Sequence, residues 1–146
     1  MSRIGAVQAS MYENRLKDSL SAAMAPLGAV VLRSAGSHGE GDLSILFPNR
    51  PGVLIEVKAS KKKSIKPVSG EKKEQFEALV HHETCGMDVW YAYWLKRSKG
   101  IAGWRFFRPC EAIKGGKRGG TAFVWGKGVT FDAWLARYKP QGRSRR

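Results

Sequence analysis

The stretch GDLSILFPNRPGVLIEVK, residues 41–58, decides the fold of this chain. Leu43, Ile45 and Phe47 alternate with Asp42, Ser44 and Leu46. Val53, Ile55 and Val57 alternate with Leu54, Glu56 and Lys58. Successive side chains of a strand point to opposite faces, so each segment reads as a short strand with one apolar and one mixed face. Pro48-Asn49-Arg50-Pro51-Gly52 between them is a turn, since proline does not suit a central strand. Antiparallel pairing with apolar facing apolar brings Asp42 opposite Glu56 or Lys58, at a Cβ separation of about 5 Å.

Two carboxylates that close repel each other unless something positive lies between them. Carboxylate oxygens are the ligands that Mg²⁺ and Mn²⁺ prefer. Lys58, two residues beyond Glu56 on the same face, has the reach to touch a phosphate, orient a water or offset developing charge. A divalent cation acting on a phosphodiester is the chemistry this grouping suggests. An amphipathic hairpin whose charged face meets solvent, with the three residues as surface ion pairs, satisfies the same alternation.

Composition narrows the choice. Lys and Arg number 26 against 12 acids, giving a net charge of +14, and this points to a polyanionic partner. Nucleic acid fits better than a membrane surface, because no basic amphipathic helix is evident and no apolar run approaches the roughly 20 residues of a span. Lys58, Lys61, Lys62, Lys63 and Lys66 cluster at the hairpin end that carries the acids, so Lys61, Lys62 and Lys63 are candidate DNA contacts. Cys85 and Cys110 share no metal-ligand spacing and read as reduced thiols. With no basic-then-apolar leader pattern, the expectation is a cytoplasmic protein. A length of 146 residues fits one domain, taken as 1–140, with 141–146 a disordered basic tail that adds non-specific attraction to DNA.

Outward from the hairpin, Leu16, Leu20, Met24 and Leu27 form a stripe that predicts a helix over 8–25, stopped at Pro26. Glu13 extends the core-facing side of that helix. Residues 29–33 read as a strand and 71–85 as a second helix with Phe76, Leu79 and Val80 inward. Strands are expected at 89–95 and 104–107, and the chain beyond them, with a short helix at 131–138, reads as an appendage. The order α-β-β-β-α-β-β predicts an α/β sandwich with a central mixed sheet flanked by helices. Trp90, Tyr91, Tyr93, Trp94, Trp104, Phe106 and Phe107 crowd two strands, more than a small core requires, and suggest a buried interface between two copies. His81 and His82 are adjacent on a helix, point apart and make poor co-ligands.

An acid on the first helix (Glu13), then Gly41-Asp42, then Ile55-Glu56-Val57-Lys58 resembles the PD-(D/E)XK nuclease signature. Together with Gly5, the run Val31-Leu32-Arg33-Ser34-Ala35-Gly36-Ser37 and Gly103-Trp104-Arg105-Phe106, the pattern resembles the archaeal-type Holliday junction resolvases over roughly residues 3–107. The resemblance implies a restriction-endonuclease-like core and a homodimer that binds four-way DNA junctions and cuts two strands symmetrically with Mg²⁺, for which Mn²⁺ would substitute. It implies that Asp42 and Glu56 hold the metal with the Val57 carbonyl, and that Glu13 ligates it directly or through water. Lys58 becomes the catalytic lysine, and Arg33 and Ser37 contact the scissile region. Gln75, on the second helix, stands where related nucleases sometimes place an active-site residue; a solvated position fits the sequence as well. The chain departs from the pattern at Asn14, where arginine is frequent, in the longer turn Pro48–Pro51, and beyond Pro109. A restriction- or repair-type nuclease on the same fold, or a non-catalytic basic DNA-binding module, are the alternatives.

Overall fold

The computed structural model describes residues 3–33, 42–65, 72–113 and 122–140, with the side chains of 3–10, 72 and 113 left aside. Ser37, Lys66 and the tail 141–146 lie outside the described residues.

Helix α1 (Arg3–Met24) carries the expected stripe, with Leu16, Leu20 and Met24 fully buried, but begins at Arg3 rather than at residue 8. A 3-10 turn at Ala25–Leu27 ends it. Gly28 then turns the chain at φ 73°, a left-handed conformation that favours glycine. Strands β1 (Val30–Arg33), β2 (Leu43–Leu46) and β3 (Val53–Ser60) follow, and after them β4 (Ser64–Ile65) and α2 (Lys72–Thr84). The remainder is β5 (Asp88–Leu95), β6 (Trp104–Phe107), α3 (Pro109–Ile113), β7 (Phe123–Val124), β8 (Val129–Thr130) and α4 (Phe131–Ala136).

Six strands form one sheet in the order β1-β2-β3-β5-β6-β8. Only the β3–β5 pair is parallel among its described pairings. Because β3 and β5 run the same way, α2 crosses between them on one face. The expected mixed sheet between helices is present. Leu43, Ile45, Val53 and Ile55 turn to one face, where they pack with α1 and with Phe131, Trp134, Leu135 and Tyr138 at the C-terminal end. The opposite face holds Tyr91, Tyr93 and Phe107 under Phe76 and Leu79 of α2, Ala112 of α3 and Phe123 of β7.

Two expectations are corrected here. The region beyond Pro109 is no appendage: β8 closes the sheet beside β6, β7 pairs with β4, and the α4 segment completes one core. Two-residue strands carry no periodicity, so the sequence pattern could not show them. The seven rings of β5 and β6 do not form an interface reserve. None is more than 4% exposed within this single chain, because both strands are interior and helices cover both faces. No helix among the described residues is long and apolar enough to cross a membrane.

Candidate active site

The β2–β3 register pairs Leu43 with Ile55 and Ser44 with Leu54, so one further step places Asp42 across from Glu56. Asp42 lies just ahead of β2, and its N–H donates to the Ile55 carbonyl at 2.8 Å, continuing the ladder. Its carboxylate Oδ2 accepts the Val57 N–H at 2.7 Å. The side chain is therefore fixed by backbone from the partner strand.

Glu56 sits in the middle of β3, between β2 and β5, and is 4% exposed. Ile55 and Val57 point to the α1 side, so Glu56 points to the α2 side, the face on which its neighbour Tyr91 is buried under α2. A solvent-facing hairpin is thereby excluded. Lys58 Nζ lies 3.4 Å from Glu56 Oε2 and 3.5 Å from Gln75 Oε1 of α2. The other oxygen, Glu56 Oε1, is buried with no hydrogen-bond partner. Tyr91, beside Glu56 in the β3–β5 register, also buries its hydroxyl without a partner.

Burial dominates the electrostatics. It raises the Glu56 carboxyl well above its ordinary range, the nearby Asp42 adds to the rise, and Lys58 offsets part of it. Burial also raises Asp42, opposed by the Val57 N–H and increased by the field of Glu13. Neither acid is comfortable as an anion without an added positive charge. An orphaned, buried carboxylate oxygen beside a second carboxylate is the donor set a hard divalent cation takes, so the residues fit Mg²⁺ or Mn²⁺.

Glu13 is placed at the same end of the sheet, where its Oε1 accepts from Arg33 Nε at 2.9 Å. Arg33 ends β1, opposite Leu43, so the antiparallel hairpin carries it to the edge of the site. Among the described residues no three His, Cys, Asp or Glu side chains converge as one metal-holding group, though the charge of Glu13 is felt at Asp42.

Lys61, Lys62 and Lys63 are exposed in the turn that leaves β3. Their backbone is anchored. Tyr93 donates its hydroxyl to the Lys62 carbonyl, Lys62 N–H donates to Ser60 Oγ at 3.0 Å, and Trp125 N–H donates to the Lys63 carbonyl at 2.7 Å. The lysine run is thus a braced turn at the end of the strand that carries Glu56 and Lys58. His81 and His82 lie on α2 with ring centroids 6.4 Å apart, His81 beside Cys85, and take no part in the site. Sequence reasoning leaves Gln75 evenly balanced and misses Tyr91 as a neighbour of the acids; only the parallel β3–β5 register, which no local pattern signals, brings Tyr91 there.

No family model matches this chain, and no curated protein matches it. Among solved structures it is similar to Hjc of Archaeoglobus fulgidus, described as a Holliday junction resolvase from an archaeal hyperthermophile, with a TM-score of 0.64 and 20% identity. The match covers 88% of this chain and 96% of that one. At this identity the likeness is one of fold, and it shows a restriction-endonuclease-like architecture.

Proposed function

We propose that this chain is a metal-dependent endodeoxyribonuclease that resolves four-way DNA junctions by paired cuts. The observation that carries the reading is the half-buried Asp42 beside the buried Glu56, one oxygen of Glu56 lacking any partner while Lys58 stands 3.4 Å from the other. Without a cation, burial keeps Glu56 neutral beside Asp42, and an added positive charge is what would let both serve as anions. The shared fold with a junction resolvase supports the substrate class, as does the basic surface.

In this reading Asp42, Glu56 and the Val57 carbonyl hold Mg²⁺, with Mn²⁺ able to substitute, and Glu13 acts on it through water. Bound there, the ion would offset both carboxylate charges and polarise a phosphoryl oxygen of the scissile phosphate. The protein's own groups do the rest. Val57 N–H orients Asp42. Gln75 and Glu56 hold Lys58, whose ammonium faces the charge that builds on the phosphate. Lys61, Lys62 and Lys63 bind backbone phosphates, and Arg33 and Ser37 take positions at the scissile region. Two copies related by a two-fold axis match the symmetry of a junction and supply the two sites that paired cuts need.

The test is incubation with a labelled four-way junction and a matched linear duplex, each with Mg²⁺ and with EDTA. Junction-selective, Mg²⁺-dependent nicking at symmetric positions is expected. Binding without cutting would leave a DNA-binding module, and equal cutting of both substrates would point to a general or restriction-type nuclease.

A further inference from the structure

A concave site outside the carboxylate cluster lies between α1 and the β5–β6 connection. It encloses about 370 Å³ and is lined by Arg15 and Ser19 of α1, Ser98 and Lys99 of the connection, and Trp94 and Trp104. The two indoles form its floor, with ring centroids 5.1 Å apart at 55°. Gly103 lets the connection close onto them: a Cβ there would fall 2.5 Å from Trp94 Cζ3 and 2.7 Å from Ser98 Cβ. The floor and rim are therefore packed before any ligand arrives.

The rim is cationic and uncompensated. The Arg15 guanidinium lies 5.5 Å from the Tyr12 ring and 5.6 Å from the Trp94 ring, and the Lys96 ammonium lies 5.5 Å from Tyr12. Ring contacts of this kind hold a cation in place without neutralising it. Arg15, Lys96 and Lys99 are absent from the ion pairs among the described residues, and no acid lines the cavity. Pre-positioned positive charge in a concavity attracts an anion. The volume sits near the low end of the range for small-ligand sites, about 300–1,000 Å³, which suits one nucleotide and not a folded partner.

The location ties the cavity to DNA. Trp94 pairs with Ala59, the residue after Lys58, and Tyr12 precedes Glu13 on α1. The cavity thus opens at the end of the sheet that carries the carboxylates, but on the α1 side. A strand lying across that end meets both.

We propose that this cavity is a nucleotide subsite of the DNA-binding surface. It takes a phosphate flanking the cleaved one on Arg15 and Lys99, with the attached nucleoside against Ile101 and the indole edges. The inference rests on the reading of this chain as a DNA-acting enzyme, and its first measurement does not depend on cutting.

That measurement is two-dimensional NMR of the full chain titrated with a deoxythymidine tetranucleotide and, separately, with inorganic phosphate. The tetranucleotide is expected to shift the indole N–H signals of Trp94 and Trp104 at concentrations at least about tenfold below those at which phosphate does. Lys99→Ala and Arg15→Glu should each remove that response. They should also weaken junction binding about tenfold and lower its log–log salt slope by about 0.9 for each phosphate no longer neutralised. Lys99→Ala removes only an exposed side chain, so its result stands even where Arg15→Glu disturbs the packing of Tyr12. Absence of the shifts, equal potency of phosphate, or shifts unaffected by Lys99→Ala would each overturn the subsite. Failure of the parent protein to cut any DNA would instead overturn the nuclease reading and leave the NMR result to stand alone.

Discussion

Asp42 and Glu56 face each other across the β2–β3 pairing, and only one of them is satisfied: Asp42 Oδ2 accepts the Val57 N–H at 2.7 Å, while Glu56 Oε1 is buried without a partner. The two acids are therefore unequal. Asp42 is the oriented member, and Glu56 is the one whose ionised form needs outside help.

The consequence for stability has a definite sign. The folded-state value of Glu56 is pushed from 4.5 to about 8, so in that window the folded chain holds a proton that the unfolded chain has released. Metal-free stability is thus fully present below the lower value and is lost as pH rises toward the upper one. Glu56→Gln removes the charge at nearly constant shape. In EDTA its melting temperature should match the parent near pH 4.5 and exceed it at pH 8, by about 3 °C for each kcal/mol recovered. Calorimetric scans across that range check it; parallel pH curves for the two proteins would refute the buried-anion account.

Added Mg²⁺ should reverse the ranking. The parent gains stability with Mg²⁺ concentration, whereas Glu56→Gln and Asp42→Asn gain little, because each lacks one anionic ligand. Both variants are expected to bind junctions and to lose cleavage by a factor of at least about 10². Near-parental Mg²⁺-dependent cutting by either would remove these residues from the site.

Lys58 makes two contacts, at 3.4 Å with Glu56 and 3.5 Å with Gln75. Lys58→Ala should lower the cleavage rate about 10²–10³-fold while sparing Mg²⁺ binding measured by calorimetry. Gln75→Leu keeps the lysine but frees it, and a smaller loss of rate, about tenfold, is expected at unchanged junction affinity. A parental rate for Gln75→Leu would make the Gln75 contact incidental.

The braced turn of Lys61, Lys62 and Lys63 answers to a different measurement. With all three changed to Ala, junction affinity should fall and the log–log salt slope should decrease by up to about 0.9 for each phosphate the turn had neutralised. Binding titrations over a range of salt concentrations decide this. An unchanged slope would take the turn off the DNA surface.

Much of this geometry was legible in the chain, because alternation and the Pro-rich turn are local. They place Leu43 and Ile55 on one face and bring Asp42 opposite Glu56 without any knowledge of the rest. The burial of Glu56 was not legible, since α2 and β5 cover it from distant parts of the sequence. The same limit applies to β5. Its Val89-to-Leu95 run invited a strand, yet both of its faces are interior, and rings that looked like surplus are core. The β4–β7 ladder joins residues nearly sixty positions apart through two residues each, below anything periodicity can register.

Asp88 shows how the C-terminal segment is fastened. It accepts from Arg108 at 2.6 Å, Trp90 Nε1 at 2.9 Å and the Tyr138 hydroxyl at 2.8 Å. Arg108 in turn lies 3.8 Å above the Trp90 ring. Asp88→Ala removes the acceptor shared by all three and strips the Arg108 guanidinium of its carboxylate. Among the described residues this leaves Trp90 Nε1 only the Tyr138 hydroxyl and Arg108 only the Val89 carbonyl, and it should destabilise the fold by about 2–4 kcal/mol. Denaturant unfolding would read this, and a loss below about 0.5 kcal/mol would show that the α4 segment is held by packing alone.

Assembly is the remaining consequence of the proposed activity. One carboxylate site cuts one strand, so symmetric resolution requires two sites on one junction. The rings of β5 and β6 do not contribute, since the monomer's own core occupies them. Sedimentation at micromolar concentration is nevertheless expected to give twice the 16.2 kDa chain mass, because a preformed two-fold pair presents both sites in a fixed relation. Cutting kinetics supply the sharper test. A preformed pair should make its second nick within the lifetime of the first complex, and should do so equally well as protein is diluted toward equivalence with DNA. A monomer in sedimentation, with a second nick that slows in proportion to dilution, would mean that two molecules meet only on the junction.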